Sequence, residues 1–361
     1  MRALTWLLAC AAFAGVAQAQ VPAGYPADYK AILDGAKKEG KVVVYSTTDA
    51  KLVTPLIKDF EAAFPGVKVE YGDMNSTEVY NRFVSESAAN AASADAVWSS
   101  SMDLQLKLAA DGLAMVYRSP EAGALPAWAK YNDVVYATTF EPIAIVYNKR
   151  LVPPEDVPKT HADLLKLLTT KADKYNKKVT TYDAEKSGVG FMLVNQDAKL
   201  FPQFWDLVKV MGQRGVNLQS STGTMMERIA SGENLIGYNV LGSYAISRAK
   251  KDPSIGVQIT TDYNLVLSRL AFVSKNARHP NAGKLFVDYL LSKRGQTLLA
   301  EQADLYSVRT DMTGKDSGTG LTKEYGDVIK PIPVSAELLG GLEQGKRLEF
   351  MKQWQSSLGR K

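Results

Sequence analysis

Hydroxyl side chains at the ends of apolar strands are the groups in this sequence best placed to do chemistry. The run Val42-Val43-Val44-Tyr45 leads into Ser46-Thr47-Thr48, the run from Val67 to Tyr71 is followed by Asn75-Ser76, and the run from Ala94 to Trp98 ends in Ser99-Ser100-Ser101. Thr47, Thr48, Ser76, Ser99 and Ser100 therefore recur at one kind of position. Farther along, Thr181, Tyr182 and Asp183, then Ser221 and Thr222, then Tyr238 and Asn239 stand in similar places. Ligands of open α/β sheets sit beyond the carboxyl ends of the strands, where helix N-termini offer free N–H groups that favour an anion and hydroxyls add donors without adding charge. The same residues are also ordinary N-caps, each stabilising its helix by ~1 kcal/mol with no ligand involved. Singly they read as caps; three strands of one region ending alike read as a binding site.

Two charged residues interrupt apolar segments. Arg269 lies within Val266-Leu267-Ser268-Arg269-Leu270-Ala271-Phe272, where a guanidinium needs either an anionic ligand or a carboxylate such as Glu141. Arg309, after Tyr306-Ser307-Val308, is a weaker instance of the same pattern. Glu141, next to Pro142, either bonds a ligand hydroxyl or tethers a hinge, and Tyr45, Trp98 and Phe140 either stack on a ligand or fill a core.

Catalysis lacks its usual parts. The chain has 2 His and 1 Cys, the residue types on which zinc sites, Cys/His nucleophile pairs and disulfide frameworks draw, so most metal and hydrolase chemistry is not expected. His161 follows the helix cap Thr160 and His279 precedes Pro280, positions of solvated or capping histidines. No G-x-S-x-G, G-x-G-x-x-G or G-x-x-x-x-G-K-[ST] occurs, so the nucleophile elbow and both phosphate loops are missing. The expectation is a binding protein without cofactor or resident metal, not an enzyme. Its 43 Lys+Arg against 38 Asp+Glu, with no basic run, do not point to nucleic acid.

The elements that must position these residues alternate short apolar runs with amphipathic stretches, the pattern of α/β lobes. The length of 361 residues suits two such lobes. Residues 134–148 are too long for one strand, and Pro142 should interrupt its ladder; they read as a crossing between lobes, with residues 265–273 as the return. The expected division is 20–139 plus 265–305 for the first lobe and 140–264 plus 306–361 for the second with the C-terminal helices. Residues 313–322, rich in Gly, Ser and Thr, read as a loop. Residues 1–19 read as a secretory signal, with Arg2, an apolar stretch from Ala3 to Val16 and small residues at Ala17 and Ala19, cleaved before Gln20. Cys10 lies inside it, so the mature chain has no cysteine and is expected in the periplasm.

Several segments, in order, resemble one family: VVVYSTTD, PLIKDFEAAFPGVKVEY, ADAVWSSS, TTFEPIAIVYNKRLV with PKTHADLL, IASGENLIGYN and AFVSKNARHPNAGKLFVDYLLSKRGQ. They are similar to the periplasmic solute-binding proteins of ABC importers, in the branch of ferric-iron-binding and sugar-phosphate-binding proteins. The resemblance implies a two-lobed type II periplasmic binding protein fold with crossing strands as hinge. It also implies a monomer that closes on a solute and delivers it to an inner-membrane permease. The iron-binding members carry two adjacent tyrosines in the second lobe, whereas this chain has Gly237-Tyr238-Asn239-Val240. A small anionic organic solute, such as a phosphate ester, phosphonate or carboxylate, is therefore the first expectation. Ferric iron, with Tyr238 joined by Tyr244, Asp49 or Glu78, is the second, and an adaptor presenting the solute to a sensor kinase or chemoreceptor is the third.

Overall fold

Among the described residues thirteen strands form, most of them where β-branched and aromatic residues cluster between turn residues: β1 (Lys41–Ser46), β2 (Lys68–Asp73), β3 (Ala96–Ser99), β4 (Lys130–Tyr131), β5 (Val135–Ala137), β6 (Glu141–Asn148), β7 (Val179–Tyr182), β8 (Asn217–Gln219), β9 (Ile236–Leu241), β10 (Ile255–Ile259), β11 (Asn264–Leu267), β12 (Leu270–Val273) and β13 (Ile329–Pro331). This computed structural model describes residues 21–360. The expected signal, Cys10 and the cleavage point lie outside the described residues. Among the described residues no helix is long and apolar enough to cross a membrane.

The strands build two mixed sheets. One has the order β2-β1-β3-β12-β5-β4; the other has β13-β11-β6-β9-β7-β8, with β10 also paired to β6. In the first, β1 runs parallel to β2 and β3, so the helices Ala50–Ala63 and Ser76–Ala88 are the crossovers that parallel pairing requires. Helices on each sheet bury a contiguous aromatic and aliphatic core. In the first lobe Phe60 meets Phe286 at 5.4 Å and Phe83 meets Phe272 at 5.8 Å between ring centroids, and all four rings are fully buried. Burying each such ring contributes ~1.5–3 kcal/mol.

The chain changes sheet three times, by a later return between β12 and β13 and by two short crossings, at residues 138–140 between β5 and β6 and at residues 268–269 between β11 and β12. The two short crossings are bonded to each other: the Thr138 N–H donates to the Arg269 carbonyl at 2.9 Å, and the Arg269 N–H donates to Thr139 Oγ1 at 2.8 Å. Pro142 does not interrupt the ladder as its sequence suggests. The break falls at residues 138–140, and Pro142 is the second residue of β6, opposite Val266. Residues 264–267 pair with the second sheet, so the return falls a few residues later than the boundary expected at 264/265. The stretch 313–322 is not all loop, because Ser317 caps the helix Gly318–Tyr325 by accepting from the Gly320 N–H at 3.0 Å. Trp98 is a core residue, fully buried, with its indole N–H donating to Thr138 Oγ1 at 2.7 Å.

Candidate functional site

Parallel pairing brings the ends of β1, β2 and β3 to one edge of the first sheet, with Ser46 opposite Asp73 and Trp98. The end of β7 and the start of the helix Thr222–Ser231 face that edge from the second lobe. Between them lies a cleft of about 160 Å³ lined by Thr47, Ser76 and Ser100 from one lobe and Tyr182, Ser221 and Thr222 from the other, with Asp49, Asp73 and Tyr244 also in its wall.

Capping shapes both ends of this cleft. Asn75 Oδ1 accepts from the Glu78 N–H at 2.9 Å while Glu78 accepts from the Asn75 N–H at 3.0 Å, a closed capping box. Ser221 Oγ accepts from the Thr224 N–H at 3.2 Å. The N–H groups of Ser76, Thr77, Thr222 and Gly223 make no hydrogen bond among the described residues. Each lobe thus presents one helix N-terminus with two unspent donors. The lobes touch around the cleft: the Val189 N–H donates to Ser76 Oγ at 3.1 Å, the Gly188 N–H to Thr77 Oγ1 at 3.2 Å, and the Tyr244 hydroxyl to Asp49 Oδ1 at 2.8 Å. Burial pushes the phenols of Tyr182 and Tyr244 above their ordinary range, so both stay neutral donors at any ordinary pH.

Of the residues singled out in the sequence, Thr47, Ser76, Ser100, Ser221 and Thr222 meet in the cleft, and Tyr182 with them. Asp49 and Tyr244, named for the iron alternative, line it too, and the remaining candidates do not. Arg269 is fully buried behind the wall, and its partner is Glu141: Nε to Oε1 is 2.9 Å and Nη2 to Oε2 is 3.2 Å. Nη1 donates to Thr48 Oγ1 at 3.0 Å and to Thr47 Oγ1 at 3.4 Å. Burial works against this charge, and the adjacent carboxylate outweighs it, leaving the guanidinium above its ordinary pKa. Arg309 likewise binds acids, Asp311 and Glu121. Ser99 Oγ accepts from the Ser101 N–H at 3.3 Å, and Asp183 Oδ1 accepts from the Glu185 N–H at 3.0 Å.

Thr181, Tyr238 and Asn239 belong to the interior of the second lobe. Thr181 donates to the Tyr238 carbonyl at 2.9 Å. The Tyr238 hydroxyl and the Asn239 amide both donate to Asp197 Oδ2, at 2.7 and 2.6 Å, in a separate small cavity that includes His161 and Asn264. The reason is position along the strand. β9 runs on to Leu241, and it is Leu241 that reaches the cleft; Tyr238 and Asn239 lie within the sheet. Asp73 gives no signal in the sequence, because the apolar run stops at Tyr71 and β2 continues two residues beyond it. Tyr244 reads there only as a candidate iron ligand, although Gly242 before it marks a helix start that the cleft needs.

A profile of bacterial extracellular solute-binding proteins matches residues 55–321. The chain belongs to this family of extracellular solute-binding proteins. The solute-binding protein is similar to a substrate-binding protein of an ABC transporter from Agrobacterium tumefaciens, with 36% identity, a TM-score of 0.85, and 90% of this chain and 96% of that one covered. More distant likenesses show the fold alone. AfuA from Actinobacillus pleuropneumoniae, solved with fructose-6-phosphate bound, has 19% identity and a TM-score of 0.70 over 89% of this chain and 99% of that one. Iron-bound HitA from Pseudomonas aeruginosa has 18% identity and a TM-score of 0.67 over 88% and 99%. The solute-binding protein therefore has the two-lobed periplasmic binding protein architecture, one sheet to each lobe.

Proposed function

We propose that this protein is the exported substrate-binding component of an ABC importer, capturing a small anionic organic solute between its lobes and handing it to a membrane permease. The observation that carries the solute class is the pair of helix N-termini that line one cleft, at Ser76 from one lobe and Thr222-Gly223 from the other, with N–H groups left unspent. Such ends carry partial positive charge and bind phosphate or carboxylate oxygens directly. The Ser100 hydroxyl, which accepts from Thr47 Oγ1, adds a neutral donor, and the Tyr182 hydroxyl shares a hydrogen bond with Thr222 Oγ1 in the same wall. About 150 Å³ accommodates a six-membered carbon ring, so the cleft of about 160 Å³ suits a compact solute. With donors on both sides, the solute favours the arrangement in which the lobes meet, and a differential of a few kcal/mol suffices to shift that equilibrium. Import is supported by the likeness to the Agrobacterium transporter protein, and export before Gln20 by the pattern of residues 1–19.

Ferric iron is the second reading, and Asp49, Asp73 and Tyr244 are the oxygen donors that favour it. Tyr238 would take no part, since it is turned to Asp197, and the raised pKa of Tyr244 works against a phenolate ligand. The deciding experiment is a thermal-shift screen of the refolded mature protein against phosphate esters, phosphonates, carboxylates and ferric citrate, since a ligand of the folded state raises its midpoint by mass action. The expected result is a shift with an anionic organic compound. A shift with ferric citrate alone, with a visible tyrosinate band lost on Tyr244→Phe, would replace the organic-anion reading with iron.

A further inference from the structure

The cleft holds two carboxylates and no cation. Asp49 and Asp73 are exposed in its wall, and no Lys, Arg or His side chain lines it. Asp73 Oδ2 accepts the Ala50 N–H at 2.9 Å, which spends the start of the helix Ala50–Ala63. Asp49, the N-cap of that helix, makes no cap bond of its own and instead accepts the Tyr244 hydroxyl across the cleft. Helix capping therefore accounts for one oxygen of Asp73, and none of Asp49. The second oxygen of each makes no hydrogen bond among the described residues. Arg269 cannot neutralise them, because its guanidinium is committed behind the wall to Glu141, Thr47 and Thr48.

A solute that is only an anion would enter a cleft of about 160 Å³ beside two carboxylates that each keep one oxygen unbonded and face no Lys, Arg or His in the lining, and like charges at such range repel. We infer that the solute also carries a positive amine, held by Asp49 and Asp73, while its anionic end meets the helix N-termini at Ser76 and Thr222. The substrate class is thus a short amino-substituted phosphate ester, phosphonate or carboxylate, and the two aspartates are its specificity-determining residues. Free donors for one end and free acceptors for the other stand in the same cavity. This inference rests on the proposed anionic solute and adds the second charge.

The test is calorimetry of the refolded mature protein with three matched pairs: O-phosphoethanolamine and ethyl phosphate, 2-aminoethylphosphonate and ethylphosphonate, and 3-aminopropanoate and propanoate. In at least one pair the amine member is expected to bind about tenfold or more tighter, the smaller gain from a charge-assisted hydrogen bond. Asp49→Asn and Asp73→Asn, each checked for an unchanged melting profile, are expected to shrink that ratio to within about twofold. Asn keeps an acceptor for Tyr244 or for the Ala50 N–H, and Asp49→Asn stands as the test if Asp73→Asn does not fold. Equal or tighter binding of the amine-free members overturns the amine subsite and leaves the anionic reading standing. Binding of no member of any pair overturns both.

Discussion

Arg269 and Glu141 form a two-pronged ion pair, 2.9 and 3.2 Å long, with both side chains fully buried where the chain passes between its sheets. Thr139 and Ser243 both donate to the same carboxylate, so the crossing from β5, the helix Gly242–Ala249 and the return crossing converge on it. Removing one partner leaves an uncompensated buried charge. Arg269→Met is expected to cost about 3–5 kcal/mol of unfolding free energy, read by urea denaturation without ligand, and Arg269→Met with Glu141→Leu to recover much of the loss. A single variant as stable as the parent would show that the pair does not hold the crossings.

A second prediction concerns pH. Burial pushes the Asp103 carboxyl up to about 6 from 3.8. Below 3.8 the group is neutral whether folded or unfolded; between that value and about 6 the unfolded chain ionises first. Asp103 therefore lowers stability as pH rises through this window, by on the order of 3 kcal/mol once it is complete. Asp288, also raised to about 6 by burial, acts in the same direction. Asp103→Asn keeps an acceptor for the Ser101 hydroxyl and the Leu104 N–H, so it is expected to gain on the parent protein between pH 4 and pH 7.5. Equal slopes for the two proteins in urea denaturation across that range would refute the assignment.

Gly188 tests the approach of the lobes. A Cβ there would lie 2.6 Å from Leu104 Cδ1, 2.9 Å from Ser101 Oγ and 3.2 Å from Ser76 Oγ, all across the interface. Gly188→Val is expected to keep the lobes apart, increasing the radius of gyration in solution scattering with solute present. Solute affinity should fall about tenfold or more, equivalent to about 1.4 kcal/mol against the joined arrangement. Unchanged scattering and affinity would show that the interface tolerates the side chain.

The Tyr244 hydroxyl spans the cleft to Asp49 and also accepts the Asp49 N–H at 3.2 Å. Tyr244→Phe removes both bonds and retains the ring. The expected effect is on release: stopped-flow measurement should give a dissociation rate raised about five- to tenfold with association little changed, as for loss of a hydrogen bond of ~1 kcal/mol. A change confined to association would mean that Tyr244 guides entry.

The sequence by itself determined what depends on near neighbours. Apolar runs ending in Ser and Thr defined β1 and β3; Ser76, Ser221 and Thr222, read as helix caps, marked the starts of two cleft helices. The long segment 134–148 with its partner 265–273 announced two passages between sheets. Periodicity and capping are short-range, so they survive in a linear reading. The tertiary structure alone decided which hydroxyls face the cleft. Tyr182 is the last residue of β7 and reaches it, whereas Tyr238 is the third residue of β9 and turns to Asp197. Strand ends and side-chain direction decide that difference, and a shift of one residue reverses the face. Arg269 could not be assigned to Glu141 or to a ligand from sequence, because the two acidic alternatives differ only in which group, 128 residues away in the chain or outside it, packs against the guanidinium. Asp73 and Tyr244 gain their place in the cleft from the way β2 and the helix Gly242–Ala249 are set against β1. Contacts between residues so far apart are made by packing, and local spacing carries no record of them.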